Sequence, residues 1–168
     1  MKLDDYSKKD IILSALRSEL DSKEIYSILS ENIANVIISD KFEFLAMEED
    51  KHKKFVEGLF RAEFPDEKLV IPPKSPVPLP DVTIEDKEFP IEEVVRVLKK
   101  AQEAEKAAAD FYSSFARHFD KNSKQRNMLA YFSQMEIGHY KLIGIELENM
   151  ERMESMEDSW SDLMHIGP

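Results

Sequence analysis

Seven of the eight prolines fall between residues 65 and 90, in the stretch PDEKLVIPPKSPVPLPDVTIEDKEFP, while glycine is absent from the first 57 residues. Proline has no backbone N–H and its ring clashes with the preceding turn, so this stretch cannot run as a helix. The segments on either side carry almost no helix breakers and are left free to be helical. The chain therefore reads as one domain, 1–168, made of a helical hairpin at 8–62, a connector at 63–90, a second hairpin at 91–151 and a tail at 152–168. Leu69, Val70, Ile71, Val77, Leu79, Val82 and Ile84 give the connector apolar anchors, which a free linker does not need. It is expected to be a crossover strap packed along a bundle.

Hydrophobic periodicity places two helices in each half. The first begins near Ser7, with Asp10 three residues on as a weak capping box, and carries Ile12, Leu16, Tyr26 and Ile33 on one face. The second spans roughly 40–62, with Phe42, Leu45, Val56 and Leu59. Pro90 sits at the start of the third, whose stripe is Val94, Leu98, Ala101, Tyr112 and Phe119. The fourth covers about 123–152 and shows Leu129, Phe132, Ile143 and Met150. Two short turns and one long connection among four long helices predict an all-α four-helix bundle with its crossover between helices 2 and 3. The Met- and acid-rich tail is expected to be a fraying or docked helical extension without chemistry of its own.

The net charge of −11 and the lack of a basic patch argue against a nucleic-acid partner. There is no cysteine, which excludes disulfides, thiol nucleophiles, thiolate-bound zinc and iron–sulfur sites. No apolar run reaches the ~18–20 residues of a membrane span and the N-terminus lacks a signal-peptide core, so a cytoplasmic protein without membrane contact is expected.

The two halves resemble each other. Glu19 and Tyr26 are seven residues apart, as are Glu105 and Tyr112; Glu49 and His52, in MEEDKHKKF, are matched by Glu136 and His139, in MEIGH. Glu19 to Glu49 spans 30 residues and Glu105 to Glu136 spans 31, so the hairpin looks duplicated about a pseudo-two-fold axis. One Glu-x-x-His by itself reads more readily as a solvated helix face than as a ligand pair. Position on the helix changes that reading: Glu49 and His52 fall about 40° and about 20° to either side of Leu45, within the apolar stripe. Glu136 and His139 stand in the same relation to Phe132, while Glu19 and Glu105 lie between apolar residues of their own helices. Glu48, Asp50, Lys51, Lys53 and Lys54 are assigned to the solvent side. Four carboxylates and two imidazoles thus face one centre, with no inward Lys or Arg at their level and Lys23 the nearest candidate. Unpaired buried carboxylates are costly, and four together repel. Two divalent cations resolve this better than a charged, metal-free core, and an oxygen and nitrogen donor set suits iron, manganese or a mixed pair.

One Glu from each of two helices and Glu-x-x-His from each of the other two resembles the di-iron carboxylate signature of the ferritin-like superfamily. The Glu-to-Tyr spacing in ELDSKEIY and EKAAADFY, with FYSSFARHF, is similar to the rubrerythrin branch over about residues 10–150. The resemblance implies that Glu49 and Glu136 bridge two irons, that Glu19 and Glu105 are terminal carboxylates, and that His52 and His139 bind one metal each. It implies further that Tyr26 and Tyr112 donate to carboxylates across the site; read from the residues alone, both are equally ordinary amphipathic core tyrosines. The chain departs from that branch in lacking the rubredoxin-like cysteines and in having Ala107, Ala108 and Ala109 where an extra carboxylate is expected.

The function implied is reduction of peroxide or dioxygen, with electrons from an external donor. Iron oxidation and storage, or a metal-stabilised structural bundle without catalysis, are the other readings. A homodimer is expected, because helical bundles of this type pair through a helix face.

Overall fold

The computed structural model describes residues 3–33, 35–75 and 91–164, with side chains described for all of these except 91–93 and 154–164. Four helices follow in order: α1 Lys8–Asn32, α2 Val36–Glu63, α3 Ile91–Ala116 and α4 Lys124–Met164. Helix α1 starts where Ser7 Oγ accepts the Asp10 N–H at 3.1 Å. Helix α2 starts about a turn earlier than its apolar stripe suggests. Asn35 caps it, its side-chain oxygen accepting the Ile37 and Ile38 N–H groups at 3.1 and 3.3 Å. Helix α4 runs on to Met164, well past the expected end near 152. The tail is thus helical through that residue.

Helix α1 pairs with α2 and α3 with α4; α1 also meets α3 and α2 meets α4, leaving α1/α4 and α2/α3 as the diagonals of a square bundle. Along each helix the buried residues change character in the same order. One apolar cluster holds Ile12, Leu16, Val56, Phe60, Phe111, Phe115, Leu129 and Phe132, among others. A second holds Leu29, Ile38, Phe42, Leu45, Val94, Leu98, Ile143 and Met150. Between them every helix passes through one polar layer, at Glu19 on α1, Glu49 and His52 on α2, Glu105 on α3, and Glu136 and His139 on α4. The four-helix, all-α expectation holds. Of the connector's anchors, Leu69 and Ile71 pack on the first cluster and Val70 is exposed, while Val77, Leu79, Val82 and Ile84 lie outside the described residues.

One polar residue departs from its sequence assignment, and a second, buried one was not singled out. Glu48 is buried rather than solvent-facing, held by Lys51. Glu146, on the inward side of α4, is 1% exposed and takes the Lys41 ammonium from α2. Removing one partner of such a pair strands a buried charge, whereas replacing both with apolar residues does not. Lys41→Met is therefore expected to cost about 3 kcal/mol, the low end for a buried pair because the lysine is partly in solvent. Lys41→Met with Glu146→Leu together is expected to recover most of that loss. Denaturant midpoints of the two variants against the wild type check it, and equal loss in both rules the pair out as the cause.

Candidate metal centre

The six ligand candidates converge because two kinds of spacing coincide. The i, i+3 offset puts each Glu-x-x-His pair on one helix face, and the antiparallel run of α2 against α4 sets the two pairs opposite each other. Glu49 Oε2 lies 3.3 Å from His52 Nδ1 and its Oε1 lies 3.0 Å from His139 Nδ1. Glu136 does the same from the other side, with Oε1 3.0 Å from His52 Nδ1 and Oε2 2.9 Å from His139 Nδ1. Each of these two carboxylates therefore spans both imidazoles, one oxygen to each. Glu19 Oε2 approaches only His52, at 3.4 Å, and Glu105 Oε2 only His139, at 3.6 Å.

The remaining oxygens of Glu19 and Glu105 are taken by tyrosines of the opposite hairpin. Tyr112 O–H on α3 donates to Glu19 Oε1 on α1, and Tyr26 O–H on α1 donates to Glu105 Oε1 on α3. One oxygen of each carboxylate is fixed, and the other is turned towards the layer. Phe132 packs against His52 with ring centroids 4.3 Å apart and against Tyr112 at 5.6 Å, which limits how either ring can rotate.

Two overlapping donor groups result: Glu19, Glu49, His52 and Glu136, and Glu49, Glu105, Glu136 and His139, each with its ligand atoms within 4.8 Å of one another. Glu49 and Glu136 belong to both. Five buried atoms of the layer have no hydrogen-bond partner: Glu19 Oε2, Glu49 Oε1, Glu136 Oε1 and both ring nitrogens of His52. All but His52 Nε2 lie within 3.0–3.4 Å of polar neighbours without forming a hydrogen bond. The three carboxylate oxygens and His52 Nδ1 are gathered together without satisfying one another, as donors around a shared cation are. The residues fit a pair of cations.

The electrostatics say what keeps the layer tolerable without ions. Burial and the Glu49 charge hold the carboxyls of Glu19 and Glu105 well above the usual carboxylate range. Burial pushes Glu49 the same way, but His139 and His52 outweigh it and bring it down to about 2. Burial disfavours a charged imidazole, yet Glu136, Glu19 and Glu49 around His52 push it up to about 12, and His139 is raised in the same manner by Glu105, Glu136 and Glu49. Burial, then the adjacent carboxylates, raise both tyrosines, so Tyr26 and Tyr112 keep their protons. Protons thus stand in the layer where cations could stand.

The structure brings Glu19, Glu49, His52, Glu105, Glu136, His139, Tyr26 and Tyr112 into this one layer. Lys23 does not join it and pairs instead with Asp50, at 2.5 Å. Near Ala107 to Ala109, α3 and α4 come close enough for Ser133 Oγ to donate to the Ala109 carbonyl at 2.8 Å. The tie between Lys41 and Glu146 escaped sequence reasoning, although its signal was there. Glu146 is seven residues beyond His139 and Lys41 eight before Glu49, so both share the ligands' helix faces.

A square bundle whose central layer combines four carboxylates and two imidazoles in two overlapping sets is the architecture of the ferritin-like class. The Rubrerythrin family model matches residues 10–142, and the chain belongs to that family. Among solved structures it is similar to a hypothetical protein from Pyrococcus furiosus, with a TM-score of 0.81 and 25% identity over 90% of this chain and 95% of that one. No curated protein sequence matches it significantly. No helix among the described residues is long and apolar enough to cross a membrane.

Because ligands must shed their protons, and His52 holds its own up to about 12, metal loading is expected to release protons and to strengthen steadily as pH rises through the neutral range and beyond. Calorimetric titration in buffers of different ionisation enthalpy reads that release; loading without it contradicts the proton-filled layer. The shared and unshared carboxylates are also expected to differ. Glu49→Ala or Glu136→Ala should lose both ions, while Glu19→Ala or Glu105→Ala should keep one, as counted by elemental analysis after dialysis.

Proposed function

We propose that this protein is a dinuclear non-haem iron oxidoreductase that reduces peroxide or dioxygen with electrons from an external donor. The observation that carries the reading is that Glu49 and Glu136 each reach both halves of the layer, which supports two ions held side by side. Glu19 and His52 would complete one position, and Glu105 and His139 the other. A pair of ferrous ions supplies two electrons together, the number that takes peroxide to water when two protons are added. Oxygen and imidazole donors without thiolate suit iron or manganese.

The protein's own residues contribute orientation and enclosure. Tyr26 and Tyr112 fix one oxygen of each terminal carboxylate and keep a proton on the phenol beside it. Leu45 and Ile143 close the layer on one side, and Phe132 and Leu16 on the other, which keeps bulk water from the carboxylates. With no cysteine in the chain, reducing equivalents come from a separate donor.

The test is rapid mixing of the protein, loaded anaerobically with ferrous iron, with peroxide and separately with dioxygen. Oxidation of two irons per chain by at least one of them, followed by re-reduction and a second cycle, is expected. Oxidation by neither removes the redox reading and leaves a metal-stabilised bundle. Oxidised iron accumulating far beyond two per chain instead identifies an iron-storing protein. Tyr26→Phe is expected to slow oxidation several-fold while leaving iron content unchanged, which separates its positioning role from metal binding.

A further inference from the structure

Helices α3 and α4 are tied to each other on either side of the polar layer. On the aliphatic side, Gln102 Nε2 donates to the Tyr140 carbonyl at 3.3 Å. On the phenylalanine-rich side, Ser133 Oγ donates to the Ala109 carbonyl at 2.8 Å. Gln102 lies one turn before Glu105, and Tyr140 directly follows His139. Ser133 lies one turn before Glu136, and Ala109 one turn after Glu105. The two bonds therefore bracket the stretch of α3 and α4 that carries Glu105, Glu136 and His139. Gly144, one turn after Tyr140, makes the first of them possible, because a Cβ there would stand 2.6 Å from Gln102 Nε2. The Tyr140 carbonyl has a second lone pair for this amide beyond the one its own helix uses.

The first hairpin can form neither tie. By the duplication that pairs Glu19 with Glu105 and Glu49 with Glu136, Gln102 corresponds to Leu16, Gly144 to Glu57, Ser133 to Ala46 and Ala109 to Lys23. Leu16 and Ala46 have no side-chain donor to give. Where α3 and α4 are tied, α1 and α2 instead part around a groove of about 610 Å³, lined by Lys23 and Ala46 among others. Lys23 meets Asp50 there, but two long, partly exposed side chains hold a helix spacing only loosely. Ser39 Oγ does bond the Ser30 carbonyl at 2.6 Å, about three turns from the ligands and near the hairpin's own turn. Phe132 restrains the His52 ring without fixing the spacing of α1 and α2. The two hairpins thus present the same donor types on unequally firm scaffolds.

We propose that Gln102 is a positioning residue for the metal centre, and that with Ser133 it makes the Glu105 and His139 position the tighter-binding of two unequal positions. The inference rests on the two-ion reading above and adds an order to it. A donor already held near its bound place loses less freedom when a cation arrives, so the stiffer scaffold binds more tightly. Side chains that support a ligand from outside the coordination sphere typically account for about 10–100-fold in affinity. Gln102 acts one step further back, on the backbone beside His139, so the low end of that range, about tenfold, is expected. When cations are scarce, the Glu105 and His139 position fills first. The Glu19 and His52 position, on the untied hairpin, holds the ion that exchanges more readily.

Gly144→Ala separates positioning from a purely structural role. Alanine is favoured over glycine inside a helix, and the atom it displaces is the free end of a flexible side chain. The denaturant midpoint of the metal-free variant is therefore expected to stay at or above the wild type while the Gln102 bond is lost. Calorimetric titration with cobalt(II) in Glu19→Ala and Glu105→Ala backgrounds reads the two positions one at a time. The remaining ion is expected to bind more tightly in Glu19→Ala than in Glu105→Ala. Adding Gly144→Ala should weaken it about tenfold in the former and leave it in place in the latter. Gln102→Leu, which keeps the bulk and removes the donor, carries the same expectation. Should either background bind no ion, only the tighter of the two wild-type steps should weaken. Equal affinities in the two backgrounds, or a loss shared by both or seen in neither, overturns the proposal and leaves the two-ion reading intact. A wild-type chain that does not take two ions overturns that reading, and this proposal with it.

Discussion

Everything in this bundle is arranged around the cost of holding four carboxylates and two imidazoles away from water. An isolated carboxylate in such a place loses far more solvation than ordinary packing returns. The layer survives because its charges face each other across a few ångströms and because a tyrosine answers each outlying carboxylate. The two apolar clusters have a matching role. They bracket the layer from both ends of the bundle, so the charged groups are buried and have little room to turn away. Folding and site assembly are in that sense one event: the helices cannot pack correctly without bringing the donors together.

The two hairpins are similar but not identical, and the differences concentrate outside the layer. Within it, α1 mirrors α3 and α2 mirrors α4, down to the crossed tyrosine bonds. Beyond it the symmetry lapses. One cluster is rich in phenylalanine, the other mostly aliphatic, and the ion pair between Lys41 and Glu146 occupies only the aliphatic side. A buried pair of this kind ties α2 to α4 at one end of the seam and, among the described residues, has no counterpart at the other. It distinguishes the two ends of a nearly symmetric object.

The fold was legible because helix breakers and apolar periodicity act locally. Prolines confined to one stretch leave little else for the flanks to form, and Leu45 and Phe132 mark their faces from sequence alone. The four carboxylates and two imidazoles of the central layer were legible for a related reason: a polar side chain within an apolar stripe has few explanations, and the repeat matched them in three pairs, whereas the roles of Tyr26 and Tyr112 came only from the family resemblance. What sequence missed depends on neighbours across the bundle. Glu48 looks solvent-facing on its own helix and is buried by what surrounds it. Glu146 is one acid among many in α4 until Lys41 is seen beside it. The start of α2 at Val36 rests on the Asn35 cap, a single side chain that periodicity does not register.

The crossed bonds between tyrosine and carboxylate have an architectural consequence. Each hairpin carries half of the donors and, in its tyrosine, the clasp for the other half, so neither can complete a centre alone. What a hairpin of this type requires is a second hairpin; whether it arrives on the same chain is immaterial to the chemistry. The layer thus has the form of an interface between two like hairpins, here carried on a single chain. The proline-rich connector at 63–90 is what puts both hairpins on one chain.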